Sequence, residues 1–212
     1  GKLADTYVYD LTATPYFNNF GDFTYDNMDE FAWEEMGQKR DVNFVEYSES
    51  IYVGYKFYET AFAEAEAGNM DYDYESIVQY PFGYGLSYTT FEQEITRFEE
   101  TDDGFTIEVT VTNTGDVAGK DVVELFYNPP YTNGGIEKSA VNLIDFGKTQ
   151  IIEPGESETF EFTVSAEDMA SFDTYGAGCY VLEPGDYEIS IRSDAHTVLD
   201  ECTYTIDSSI IY

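Results

Sequence analysis

Few residues in this sequence have the type and spacing that chemistry needs, and each has a plain structural competitor. His196, the only histidine, stands in the string Ser193-Asp194-Ala195-His196. A metal site or a nucleophile–base pair around it needs partners, and the sequence marks none; an exposed turn histidine is expected. Asp71-Tyr72-Asp73-Tyr74-Glu75 sets acids at alternate positions, as a calcium loop does. Such a loop also needs glycine sixth and glutamate twelfth, where this chain has Ser76 and Phe82, so a solvated acidic loop is expected. With 43 acidic residues, two neighbouring carboxylates say nothing about acid–base catalysis. No metal site and no cofactor site is therefore expected. Exposed aromatics are the remaining candidates, because flat rings stack on sugars. Trp33, Tyr52 and Tyr55 are the substrate-binding candidates, with Tyr131 and Tyr175 behind them. The competing expectation is that these rings fill cores or cover an interface.

Composition narrows the setting. The chain has 212 residues and a net charge of −34, from 9 Lys and Arg against 43 Asp and Glu. That length suits one or two domains with a sizeable core. At 42% apolar and 17% aromatic it has far too much core material for a disordered acidic tail. Its 20 Tyr and 16 Phe suit half-buried strands. No cluster of Lys or Arg offsets the negative field, so no nucleic-acid and no membrane-surface partner is expected. No apolar run approaches the roughly 20 residues that span a bilayer. Gly1-Lys2-Leu3-Ala4-Asp5 lacks the basic start and apolar stretch of a signal peptide. Without an initiator methionine the chain reads as a piece of something longer, with localisation unreadable. Cys179 and Cys202 can pair only if neighbouring strands bring them together; two free thiols are the alternative.

The elements that must position any site change character near residue 80. Residues 1–79 are aromatic and irregular, with too few periodic elements to close a core. Two short helices are expected there, one capped by Asp29 and running through Phe31, Trp33 and Met36, the other capped by Thr60 and running from Ala61 to a stop at Gly68-Asn69. Ser50 to Tyr58 is strand-like in composition. From residue 89 a period of two takes over. Phe105, Ile107, Val109 and Val111 alternate with Thr106, Glu108, Thr110 and Thr112. Further runs follow at 122–127, closed by Pro129-Pro130, at 143–152, and around Phe160, Phe162 and Val164. Ser165 to Asp168 has the spacing of a capping box. Tyr180 and Leu182 are expected to form a hairpin with Tyr187, Ile189 and Ile191 through Glu183-Pro184-Gly185-Asp186. Cys202, Tyr204 and Ile206 close the series. This predicts a mainly β protein, an immunoglobulin or fibronectin-III-like antiparallel sandwich of about seven strands over residues 80–212, preceded by an irregular segment over 1–79.

Two strings carry a family resemblance. Glu49-Ser50-Ile51-Tyr52-Val53-Gly54-Tyr55-Lys56-Phe57-Tyr58 and Tyr80-Pro81-Phe82-Gly83-Tyr84-Gly85-Leu86-Ser87-Tyr88 closely resemble the C-terminal region of family-3 glycoside hydrolases, mostly β-glucosidases and β-xylosidases. Val109 to Val123, with Asn113-Thr114-Gly115-Asp116 at its turn, is similar to the fibronectin-III-like domain of those enzymes. The resemblance makes residues 1–79 the tail of an α/β sandwich domain plus a connector. It departs at Ser50, where the family carries glycine, and at Cys179, where an aromatic is usual.

The resemblance also implies where the chemistry lies. Retaining glycosidases use two carboxylates roughly 5–5.5 Å apart. In this family the nucleophile is an Asp of the barrel domain, often followed by Trp, and the acid/base in many members is a Glu of the α/β sandwich domain. Neither motif is here, and Asp194 is followed by Ala195 rather than Trp. The implied role is therefore a non-catalytic accessory one, whose partners are the barrel and the rest of the α/β sandwich domain. A carbohydrate-binding module acting on oligosaccharides is the rival. Phe82, Gly83, Tyr84, Gly85 and Leu86 suggest an inter-domain seam: side chains fall on one side at period two, and two glycines leave the other side bare for a close backbone.

Overall fold

Strict alternation of apolar and polar residues dictates where this chain is extended, and from residue 91 the structure follows it. In the computed structural model, which describes residues 1–19, 23–27, 30, 33–35, 38–40 and 44–212, the strands in chain order are β1 (Tyr7–Val8), β2 (Trp33–Glu35), β3 (Gln38–Arg40), β4 (Val78–Tyr80), β5 (Phe91–Thr101), β6 (Gly104–Asn113) and β7 (Val122–Asn128). They continue as β8 (Asn142–Lys148), β9 (Ser157–Ser165), β10 (Ser171–Phe172), β11 (Tyr180–Leu182), β12 (Gly185–Arg192), β13 (Val198–Ile206) and β14 (Ile210–Ile211). Among the described residues, α-helices α1 (Tyr55–Glu66) and α2 (Tyr74–Ile77) precede the long strands.

Seven strands make the sandwich, as predicted. One sheet is ordered β5-β6-β9 and the other β13-β12-β7-β8, with every pairing antiparallel. Phe105, Ile107, Val109 and Val111 of β6 are buried against Val123, Leu125 and Tyr127 of β7 and Ile189 and Ile191 of β12 in one core. Burying each such side chain contributes about 1.5–3 kcal/mol, so this core dominates the stability. Ser165 caps a 3-10 turn at Ala166–Met169, its hydroxyl accepting from the Glu167 N–H at 3.3 Å, where the capping box was expected.

Four expectations need correction. Tyr55 to Tyr58 lie in α1, not in a strand, and the helix starts before Thr60. Thr60 instead accepts the Ala140 N–H at 2.9 Å, tying the helix to the sandwich. The predicted stop holds: Gly68 has φ 77° and Asn69 donates back to Glu64. The helix placed through Trp33 is a β2–β3 ladder there, in which Trp33 pairs with Arg40; Asp29, Phe31 and Met36 lie outside the described residues. Finally, β11 and β12 form no hairpin. β11 pairs with β10 and β14, while β12 pairs with β7 and β13. A Pro-Gly centre belongs to a turn class whose twist splays strands rather than pairing them. The Glu183-Pro184-Gly185-Asp186 corner thus carries the chain from the small sheet to the large one.

Ser50 has φ 53°, the one non-glycine positive value among the described residues. That conformation explains a family glycine here, since a Cβ in the left-handed region is strained. Ser50→Gly is expected to stabilise the chain by about 0.5–1 kcal/mol, raising the melting temperature by about 2 °C. A lower melting temperature would contradict this account of the position.

Candidate functional site

β7 is where the alternation stops describing the strand. Its odd residues enter the sandwich core, yet its even ones are buried too: Phe126 is fully buried and Glu124 nearly so. What covers them is the stretch before residue 90. Phe126 packs with Ala195 and Val141, and Tyr55 and Phe82 close over that cluster. Tyr55 stacks on Phe82 at 4.8 Å between ring centroids, meets Phe126 edge-on at 6.1 Å, and its hydroxyl accepts the Leu143 N–H at 2.8 Å. Tyr55, expected as a sugar platform, is thereby committed to packing. Beside it, buried Arg192 donates to Ser190, the Ala195 carbonyl and Asn128, and lies 5.5 Å from the Phe126 ring centroid.

The glycines of the Phe82–Leu86 string have specific work at this place. Gly83 has φ 83°, and a Cβ there would sit 2.2 Å from Glu124 Oε2. A Cβ on Gly85 would sit 2.8 Å from the Gly1 carbonyl oxygen. The chain start lies alongside: Gly83 donates to the Leu3 carbonyl and Leu3 to the Tyr84 carbonyl, both at 2.8 Å. The Phe82 carbonyl accepts from Ala195 at 2.8 Å. Leu86 points away and is 82% exposed, so it takes no part in these contacts. Glu124 Oε2 has no hydrogen-bond partner. Burial pushes its carboxyl up to about 7, with Asp194 and Asp121 adding to the effect and Lys2 opposing it.

His196 is not an exposed turn residue. Its loop does join β12 to β13, but the ring reaches Glu59 of α1, with Nδ1 2.9 Å from Oε2. The other Glu59 oxygen accepts the Tyr74 hydroxyl at 2.5 Å, and the Tyr74 and His196 rings stack at 3.9 Å. Glu59 is 2% exposed. Burial, reinforced by the Glu59 carboxylate, raises the Tyr74 phenol above its ordinary range. Asp194 is buried and shapes the loop by accepting the His196 and Thr197 N–H groups at 3.1 and 2.9 Å. Tyr74, in the string expected to be a solvated loop, is a core residue, and Asp73 caps α2. The residues that do most at this seam, Glu59, Glu124 and Phe126, were missed from sequence. One signal was available: Val122-Val123-Glu124-Leu125-Phe126-Tyr127 lacks the clean alternation of a strand with a wet outer face.

The other aromatic candidates separate. Tyr52 and Tyr131 are brought together, since the Tyr52 hydroxyl donates to Glu137 Oε2 at 2.5 Å and the Tyr131 hydroxyl to Glu137 Oε1 at 3.4 Å. Both line a cleft of about 600 Å³ between α1 and the β7–β8 loop. Tyr175 lies in another cleft with Phe172 and Glu183, and Trp33 is described only through its backbone in β2. Among the described residues no group of three or more His, Cys, Asp or Glu is arranged to hold a metal ion. Cys179 and Cys202 are free thiols, and burial pushes that of Cys202 up to about 11. The arrangement offers cohesion between two segments and a cleft walled by Tyr52 and Tyr131.

Residues 121–195 match the fibronectin type III-like domain family. The chain is 35% identical to a β-glucosidase of Ruminococcus albus over 99% of its own length and 19% of that protein's. It is 33% identical to β-glucosidase A of Butyrivibrio fibrisolvens, over 100% of the chain and 24% of the relative. A β-glucosidase from Paenibacillus barengoltzii superposes with a TM-score of 0.78 at 30% identity, covering 100% of this chain and 21% of that one. The chain therefore spans only about a fifth to a quarter of the relatives it matches. Along its whole length it matches the C-terminal region of the family-3 β-glucosidases, with their fibronectin type III-like domain at its centre.

Proposed function

We propose that this chain is a non-catalytic accessory part of a retaining β-glucosidase-like enzyme. Residues 1–79 are the tail of its α/β sandwich domain and the connector, residues 80–212 its fibronectin-III-like unit, and together they brace the catalytic domains. One observation carries this reading: the early segment keeps large apolar side chains in solvent while its other face is tied to the sandwich. Tyr9 is 63% exposed, Leu11 65% and Tyr47 71%, and Leu86 and Tyr88 of the seam string extend the same character. Apolar surface of this density suits a permanent neighbour better than water. The seam beneath it, built from Tyr55, Phe82 and the Glu59–His196 contact, transmits the sandwich's rigidity to that surface.

The reading also requires that the hydrolytic carboxylates lie elsewhere. Incubated with a chromogenic β-glucoside, the 212-residue chain is expected to release no more product than buffer. Turnover above that background, abolished by Asp194→Asn, would overturn the accessory role.

A further inference from the structure

We propose that the cleft between α1 and the β7–β8 loop is a binding site for a short neutral oligosaccharide, separate from any site of hydrolysis. Its volume of about 600 Å³ is in the range of small-ligand pockets and admits two or three pyranose rings. Two phenol rings, Tyr52 and Tyr131, stand on its wall. Their hydroxyls are held by the two oxygens of one carboxylate, Glu137. Among the described residues neither ring packs on another aromatic, in contrast to Tyr55. The short Tyr52 bond orders that ring in advance, which lowers the entropy lost when a ligand docks, while Tyr131 reaches the same carboxylate at a longer 3.4 Å.

The rest of the lining matches a sugar, which has apolar C–H faces and hydroxyls at its edges. Ala61, Ala63 and Met70 give apolar lining, and Asn69 and Asn133 give amide groups. The Asn69 amide nitrogen donates to Glu64 Oε2 at 2.8 Å, which leaves its carbonyl oxygen for a ligand hydroxyl. Among the described residues the side-chain amide of exposed Asn133 has no hydrogen-bond partner, so its donor and acceptor face the cleft's solvent.

Charge selects the class of ligand. Lys138 is the one cation on the lining, and it is spent on the Pro130 carbonyl at 2.8 Å and on Glu183 at 2.5 Å. Phosphorylated or uronic-acid ligands would meet Glu64 and a net charge of −34, with no free cation among the described lining residues. A neutral sugar meets no such barrier.

The test is calorimetric titration of the 212-residue chain with cellobiose, cellotetraose and laminaritriose, with an oligogalacturonate as the anionic control. Saturable binding of at least one neutral sugar is expected, with Kd on the order of 1 mM or tighter and none for the control. Tyr131→Ala on the exposed loop and Ala63→Trp, which fills the cleft, should each weaken it at least tenfold without changing the melting temperature. No saturable binding by any of the three sugars would overturn the proposal. So would binding that both variants leave intact, because the sugar would then sit elsewhere. Binding here leaves the accessory reading standing whichever way it falls, since that reading is tested by hydrolysis.

Discussion

His196→Ala is expected to destabilise the chain by about 3 kcal/mol, read as a lowered urea midpoint. The reason is the partner it abandons. Glu59 is 2% exposed on α1, and its two oxygens are taken by the His196 imidazole and the Tyr74 hydroxyl. Removing one member of a buried polar pair leaves the other without its compensation for lost water, which costs about 3–5 kcal/mol. The lower end applies here because Tyr74 remains on the carboxylate. The loss should also be local. This contact, beside those of Thr60 and Tyr55, joins α1 to the sandwich and lies against Tyr74 of α2, whereas the β6–β7–β12 core does not use it. Amide exchange of residues 55–77 is therefore expected to accelerate more than that of β6. An unchanged midpoint, within about 0.5 kcal/mol, would return His196 to the exposed turn that its sequence context suggests.

Glu124→Gln is expected to stabilise the chain at pH 8 and to do much less at pH 5. The carboxyl of Glu124 is buried beneath Gly83, one oxygen has no partner, and burial pushes its pKa from 4.5 up to about 7. The folded state thus holds its proton more tightly than the unfolded chain. This contribution is fully present below about 4.5 and is lost as pH rises through 7. The displacement corresponds to about 3 kcal/mol once both states are ionised. Glutamine keeps the shape without the charge, so the gain of variant over parent should grow from under about 1 kcal/mol at pH 5 to about 2–3 kcal/mol at pH 8. Subtracting the parent removes the pH dependence of the other acidic groups. A gain independent of pH would show that Glu124 is solvated in the folded chain.

The sandwich was legible in the sequence because β5, β6, β9 and β13 bury one face and leave the other more open to water. Phe105, Ile107, Val109 and Val111 announce their partners by alternation alone, and the Pro-Gly corners mark where strands end. The first third was not legible, because its order comes from tertiary contacts. Tyr55 to Tyr58 have strand-like composition but form a helix, since packing on Phe82, Phe126 and Tyr74 outweighs a weak local preference. In the Phe82–Leu86 string the glycines lie where other parts of the chain come close, but the side chain beneath Gly83, Glu124, is a residue that sequence reading assigns to solvent. His196 was misplaced for the same reason, its partner Glu59 lying 137 residues away. Of five aromatic candidates, Tyr52 and Tyr131 meet only because Glu137 gathers them, a relation no spacing reveals.

The bracing role is tested most directly by hydrogen exchange on this chain alone and within a whole family-3 polypeptide that contains it. Amides of residues 7–19, 44–53 and 84–88 should become markedly better protected in the whole polypeptide, while β6, β7 and β12 keep the same rates in both. Equal rates for the early segment in both settings would mean that nothing leans on it, and the account of its exposed Tyr9, Leu11 and Tyr47 would be wrong.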